Sequence, residues 1–479
     1  MVQLHYYIIR SQFKEFITSF FFKTKKCHNS AIHVEAEEVA DKRIFVIDLS
    51  ITVGFIVIFV RCSYKYNSEA DMKSITINQN LYFLLCGQLI SQIGDKFYAI
   101  ALAYWVLQTT HAPSIMGLVL FSSTAPAIVV GFLAGGIIDS FSRKIFLIST
   151  DMIRGLVVTV VVVSYYTEVL NLSVIIVAGV VLSICSAFFD PTVQAVIPQL
   201  VNQEALNEAN AKSQFLSGIA LVVGPLLGGI CVAWWGYGFI FLLNAVSFFI
   251  ASALASMIVI QPVIKEAQLK KKIKENICDG FQYIFNRRSI LSIVSVVAIL
   301  HFFVGSVQVI MPVFSVTLEG NGAQNLGYLE AFYGLGVILT GFLLSLISIN
   351  HKEKKFMYGG ICLIGLIYSV FGILSNSGIR NIVPYFFVFF LMSSAVVCIS
   401  TCYRTILQKN VENEMAGRVF GIIGSVGNFT FPLAILIFGV LLDWFQSGQL
   451  LLFCGILLTI LGIVLFKLDR QSTAAPGDH

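Results

Sequence analysis

The sequence predicts an all-α membrane protein of twelve transmembrane helices, arranged as two pseudo-symmetric six-helix bundles. Three observations carry that prediction. Twelve long apolar stretches run through the 479 residues, which are 57% hydrophobic and 12% charged, with a mean hydropathy of +0.85. A soluble chain carries about twice that charged fraction, and a run of about 20 apolar residues crosses a bilayer because a helix satisfies its own backbone in lipid. The stretches fall six and six on either side of one polar segment, and cations alternate between successive turns.

Residues 1–76 precede the pattern as an N-terminal extension. They begin with an aromatic and basic stretch, Met1 to Lys26, pass an acidic patch from Glu35 to Asp41, and reach an apolar run, Ile44 to Val60, that contains Asp48. At about 17 residues this run is at the lower limit for a span. Counted as a thirteenth helix it leaves Met1 outside the cell; otherwise the segment is an extension upstream of a usual start at Met72. The first bundle occupies 77–260, with spans at 81–107, 114–138, 145–166, 171–190, 208–234 and 238–260. The linker, 261–288, is polar and holds Lys270-Lys271-Lys272 and Arg287-Arg288; within it, Asp279 to Phe285 can lie as a short amphipathic helix along the membrane. The second bundle, 289–468, has spans at 290–312, 326–348, 356–375, 382–403, 419–441 and 447–466, and 469–479 form a C-terminal tail.

Orientation follows from the placement of cations, since lysine and arginine are retained on the cytoplasmic side. Turns after even-numbered spans hold Arg143 and Lys144, Lys212, the lysine-rich linker, Lys352, Lys354 and Lys355, and Lys409 with Arg418. Arg380 is the clear exception among turns after odd-numbered spans. Both ends of the twelve-helix body are therefore expected in the cytoplasm. A faint repeat supports the division: an offset of 210 positions lays Gly117 on Gly327, Ile128 on Ile338 and Gly131-Phe132-Leu133 on Gly341-Phe342-Leu343. Parallel repeats of this kind are a known architecture of secondary transporters.

Composition and motifs exclude several function classes. The net charge of +5 is modest and gives no reason to expect a nucleic-acid partner. The ten cysteines are scattered without a CxxC pair, so no metal site or disulfide framework is expected. Metalloprotease, phosphate-loop and nucleophile-elbow signatures are absent, so neither an enzyme, a cofactor nor an ATP-binding domain is expected in the chain.

A few polar residues interrupt the apolar spans. Gln88, Gln92 and Asp95 share one face of the first span, with Asp95 about 14 residues in, or about 21 Å along a helix. An ionisable group at that depth is costly and functional by default, which makes Asp95 the first candidate for proton coupling. A structural bond holding the first span is the duller role for the same residue, and Lys96 is expected to point elsewhere, toward another helix. Asp151 and Arg154 stand three residues apart in the third span and can neutralise each other. His301, near the middle of the seventh span, is a further proton candidate or a hydrogen-bonded packing residue. In the fifth span, Pro225 bends the helix while Gly224 and Gly228 form a smooth face. Gly229 completes this group, and the expected partner is the eighth span, with Gly334, Gly336 and Gly341.

The turn Gly135-Gly136-Ile137-Ile138-Asp139-Ser140-Phe141-Ser142-Arg143-Lys144 resembles the signature turn between the second and third helices of the major facilitator superfamily. Gly224-Pro225-Leu226-Leu227-Gly228-Gly229 is similar to the antiporter motif of its drug exporters. With Ser91 to Leu102, Ala187 to Pro191 and Gly417 to Gly421, they make the body resemble the bacterial macrolide and drug efflux branch. The resemblance implies the major facilitator fold, the bacterial cytoplasmic membrane, and a cytoplasmic gate. In that gate Asp139 meets the start of the eleventh helix near Arg418, and Arg143 pairs with Asp190. It departs from the usual pattern at Ser140 and Ser142, which weakens the expected latch.

The function expected is proton-driven export of amphipathic small molecules such as macrolide-like drugs, by rocking of two bundles about a cavity walled mainly by aromatic and aliphatic side chains. The partners are then a small-molecule substrate, protons and the lipid bilayer. A siderophore or lysophospholipid transporter, or a non-transporting receptor or assembly factor of the same fold, are the alternatives.

Overall fold

Apolar residues spaced for helix and the absence of water around the backbone leave helices as the available structure, and the described spans form them. The computed structural model describes residues 72–138, 142–260, 282–346 and 353–474. Helices α1 (Met72–Thr110), α2 (Pro113–Ser122), α3 (Ala125–Ile138), α4 (Arg143–Tyr166), α5 (Leu172–Leu200) and α6 (Leu206–Met257) make the first bundle. The second comprises α7 (Arg288–Ser315), α8 (Gly322–Leu346), α9 (Glu353–Asn376), α10 (Val383–Asn410), α11 (Asn413–Leu441) and α12 (Ser447–Ala474). The protein is an all-α membrane protein of about twelve spans.

Three departures from the expected boundaries stand out. The second span is split into α2 and α3: the hydroxyls of Ser122, Ser123 and Thr124 bond back to Val119 and Leu120 carbonyls. Pro126 then supplies no N–H to continue the ladder. The fifth and sixth spans run together in α6 and part at Gly236, whose φ of +75° and ψ of 179° suit a residue without Cβ. The fourth span continues past Asp190, through Pro191 and Pro198, to Leu200. Its start is capped by the Asn171 side chain, which accepts from the Val174 N–H at 3.1 Å.

Within the first bundle α4 packs on α5 and α6, and α3 on α5; within the second, α9 packs on α12 and α10, α7 on α11, and α8 on α10. A ring cluster of Phe314, Phe371, Tyr385 and Phe389 fills the second bundle. Large apolar side chains such as Val160, Phe387 and Phe453 stay exposed, as they do on a surface solvated by acyl chains. The bundles meet where α2 crosses α11 and α6 crosses α8. The 210-residue offset that relates the halves also carries Glu168, in the turn after α4 with φ of 59°, onto Gly378, in the turn after α9 with φ of 72°.

Candidate functional site

Glycine-on-glycine contacts close one end of the seam between the bundles. A Cβ added at Gly117, on the second span, would stand 3.0 Å from the Gly439 Cα on the eleventh. One added at Gly229, on the fifth span, would stand 3.0 Å from the Gly327 Cα on the eighth. The offset of 210 maps Gly117 onto Gly327 and Gly229 onto Gly439, so these are one contact used twice. Around them the Tyr104 hydroxyl lies against Gly322, and Asp443 Oδ1 accepts from the Ser114 N–H at 3.1 Å. All of these residues belong to the cation-poor end of the molecule.

The same seam widens toward the basic end. Gly327, Gly334 and Gly341 recur every seven residues, about two helical turns, so they share one face of the eighth span. Gly327 lies against the Pro225 carbonyl, and a Cβ at Gly334 would meet the Leu221 carbonyl at 2.9 Å, but Gly341 has nothing within 4 Å. Gly131, which the offset pairs with Gly341, has open space as well.

Where the seam begins to part, a cavity of about 230 Å³ lies between the bundles. Lys96 and Leu221 line it from the first and fifth spans; Gln308, Glu330, Tyr333 and Phe431 line it from the seventh, eighth and eleventh. The wall is mainly apolar, as expected, but it contains two charges. Lys96 is one of them, with Glu330 as its electrostatic partner across the seam. Glu330 is not among the candidates expected from sequence, although, like Asp95, it is a carboxylate inside an apolar span.

A second polar cluster is enclosed within the first bundle. Arg154 and Asp151, 3% and 2% exposed, approach at 3.6 Å between Nη1 and Oδ1. Arg154 Nη2 donates to Ser186 Oγ at 2.9 Å, and the guanidinium lies 4.7 Å from the Phe189 ring centre and 5.5 Å from that of Phe248. Asp95 and Asp190 are also within electrostatic reach of Arg154. Three carboxylates from the first, third and fourth spans thus gather about one guanidinium. Asp190 is exposed and gives the cluster an opening, whereas Gln92 Oε1 and the Tyr98 hydroxyl nearby on the first span are buried without partners.

Gln88 does not join Asp95; it donates to Ser217 Oγ at 3.3 Å and accepts from Ser213 Oγ at 3.1 Å, tying the first span to the fifth. Gly224 and Gly228 face the first span rather than the eighth. A Cβ at Gly224 would meet Lys96 Cβ at 2.6 Å, and one at Gly228 would meet the Phe97 Cα at 3.2 Å. The eighth span is met instead by Gly229 and the Pro225 carbonyl, because a helix turns 100° per residue and presents adjacent glycines to different neighbours. His301 Nδ1 lies 2.9 Å from the Val297 carbonyl, and its ring packs where Gly427 leaves room.

In the signature turn, Arg143 Nη1 donates to the Ala195 carbonyl at 2.9 Å, and no ion pair joins Arg143 to Asp190 among the described residues. Four residues of the fourth helix separate the observed acceptor from Asp190, because that helix runs on to Leu200. Gly135 lies in the last turn of α3 and Lys144 in the first turn of α4, while Asp139 lies outside the described residues. Arg418 Nη1 lies 3.5 Å from Met415 Sδ at the start of the eleventh span. Of the linker's expected amphipathic helix, Gln282 to Phe285 are helical and the preceding part lies outside the described residues. Arg287, just beyond, pairs with Glu412 at 2.7 Å.

Residues 84–435 match the profile of the Major Facilitator Superfamily. An uncharacterised MFS-type transporter of Bacillus subtilis is 27% identical over 392 residues, covering 81% of this chain and 92% of its own. Macrolide efflux protein A of Streptococcus pyogenes is 23% identical over 391 residues, 80% of this chain and 94% of its own. The staphyloferrin A transporter of Staphylococcus aureus is 24% identical over 398 residues, 81% and 94%. Among solved structures, the nucleoside transporter NupG aligns with a TM-score of 0.65 at 12% identity, covering 81% of this chain and 100% of that one. The peptide transporter PepTSo aligns at 0.64 with 11% identity, covering 82% and 98%. At these identities the two structures speak to the fold alone.

Proposed function

The chain belongs to the Major Facilitator Superfamily, whose secondary transporters move small molecules across membranes, and from that premise we propose that it exports amphipathic small molecules by proton antiport. The observation that carries the reading is the mainly apolar cavity on a seam sealed at one end and widening toward the other. If the basic end is cytoplasmic, as cation placement predicts, the cavity is loaded from the cytoplasm and its inner leaflet. Seam closure at the basic end, through the Asp139 turn, with opening of the glycine contacts then delivers the molecule outside.

Proton coupling is assigned to the cluster about Arg154. Three carboxylates against one guanidinium leave negative charge that an apolar interior tolerates poorly, and a proton relieves it. Asp95 is the coupling residue in this scheme, because it lies on the first span beside Lys96 and so adjoins both the cluster and the cavity. Asp190, being exposed, is the exchange point with solvent. His301 has a packing role, bonded to its own helix and seated on Gly427.

The macrolide and staphyloferrin relatives are nearly equal in identity, so the substrate rests on cavity chemistry. A polyanionic substrate would find a single cation in the wall, Lys96, opposed by Glu330, which favours an amphiphile. The test is accumulation of an amphipathic dye in an efflux-deficient bacterial host, with and without an uncoupler. Expression should lower accumulation until the proton gradient is collapsed. Extrusion that survives the uncoupler overturns antiport, and no extrusion of any amphipathic dye overturns the export reading.

A further inference from the structure

Two opposite charges face one small apolar cavity from opposite bundles without meeting. Lys96 and Glu330 both line the space of about 230 Å³ and both are half-buried. They are within electrostatic reach, yet they form no ion pair in a structure whose described residues include other ion pairs at 2.7 Å. The stem of Lys96 is held at its base. A Cβ on Gly224 would stand 2.6 Å from its Cβ and 2.9 Å from its Cγ, so the base of the side chain is wedged against the fifth span. The rest of the wall that matters is Gln308, Tyr333 and Phe431, all from the second bundle.

A desolvated charge without a close partner is costly, and a ligand is selected by whether it removes that cost. A neutral amphiphile leaves both charges unmatched, and a simple cation or anion matches one. We propose that the cavity is a binding site for zwitterionic amphiphiles. A basic amine meets the Glu330 carboxylate, an acidic group meets the Lys96 ammonium, and an aromatic body lies against Tyr333 and Phe431. Because the charges come from different bundles, such a ligand links the two halves, which neither a cation nor an anion does. The inference rests on the reading of this cavity as the transport chamber and adds the chemical class that it takes.

The test uses one aromatic body in four charge states: naphthylalanine, its methyl ester, its N-acetyl derivative, and the doubly blocked N-acetyl methyl ester. A second set carries a flexible spacer between amine and acid. Binding to purified full-length protein in lipid nanodiscs is measured by displacement of the best-binding member. In wild type, the zwitterion of one set should bind about tenfold or more tighter than any blocked form. Glu330→Gln should weaken the zwitterion and the ester and spare the N-acetyl acid. Lys96→Met, which keeps the stem against Gly224, should weaken the zwitterion and the acid and spare the ester. If either variant is poorly folded, the four-way comparison in wild type decides alone. Equal binding of all four states in both sets, or losses that ignore ligand charge, overturns the proposal. The export reading survives that outcome if the amphipathic dye is still extruded from cells.

Discussion

Gly229 on the fifth span and Gly327 on the eighth approach so closely that a Cβ on either would stand 3.0 to 3.1 Å from the other's Cα. Gly117 and Gly439 repeat this contact at positions offset by 210, so the cation-poor end is closed by two equivalent joints. Each joint brings one residue from each bundle, and it can exist only when the bundles are together at that end.

Adding a methyl group at a joint should therefore act on the conformational equilibrium. Gly327→Ala would place its Cβ 2.5 Å from the Pro225 carbonyl. Overpacking of this kind costs about 1–3 kcal/mol, enough to shift a two-state balance about 5- to 150-fold toward the state open at that end. Spin-label distances across the cation-poor end should lengthen and export should fall. Gly341→Ala, on the same helix face with nothing within 4 Å, should leave both unchanged. Equal effects from the two variants would show that the joints are ordinary helix packing.

Neutralising Asp95 should uncouple the proposed cycle. Asp95→Asn mimics the protonated carboxyl permanently, so substrate affinity should no longer vary with pH where wild type responds. Uphill export should stop, downhill exchange should persist, and Asp95→Glu should keep part of the activity. Coincident pH profiles for wild type and Asp95→Asn would move the coupling proton to Asp190 or Asp151, the other carboxylates facing Arg154.

Arg154 should be indispensable to the first bundle in a way that depends on Asp151. Arg154→Met strands the buried Asp151 carboxylate, and removing one partner of a buried pair costs about 3–5 kcal/mol. Thermal unfolding in detergent should drop sharply. Arg154→Met with Asp151→Leu should recover much of that loss, since the pair is replaced by apolar volume. Arg154→Lys should recover less, because an ammonium does not reproduce a guanidinium lying over the Phe189 and Phe248 rings.

The signature turn gives a prediction at a distance from these groups. A charge near a helix N-terminus is worth up to about 2 kcal/mol when partly buried, so Asp139→Asn should reduce transport several-fold while insertion is unchanged. Arg143→Ala should also reduce it, by releasing the Ala195 carbonyl contact that holds the third span to the fourth. Normal export by the double variant would leave the turn a topological signal only.

Much of this architecture is legible in the sequence because lipid imposes simple rules. Spans must be helical and apolar, so hydropathy finds them, and the six-plus-six division follows from one polar linker. The offset that lays Gly117 on Gly327 is visible before any coordinates. What it means is not, since the partners Gly439 and Gly229 lie in other spans and adjacent glycines face different helices. Gln88 and Asp95 likewise share a helical face by periodicity, yet neighbouring helices divide them between a serine pair and an arginine cluster.

The sequence by itself determined that this is a helical membrane protein built from two related bundles, because backbone desolvation and hydrophobic length act locally along the chain. Only the tertiary structure decided which buried charges are neighbours. Lys96 follows Asp95 in sequence but turns with the helix toward the seam and Glu330, while Asp95 faces Arg154. A 100° step separates a cavity residue from a cluster residue, and what waits on each side is set by helices more than 50 and 200 positions away.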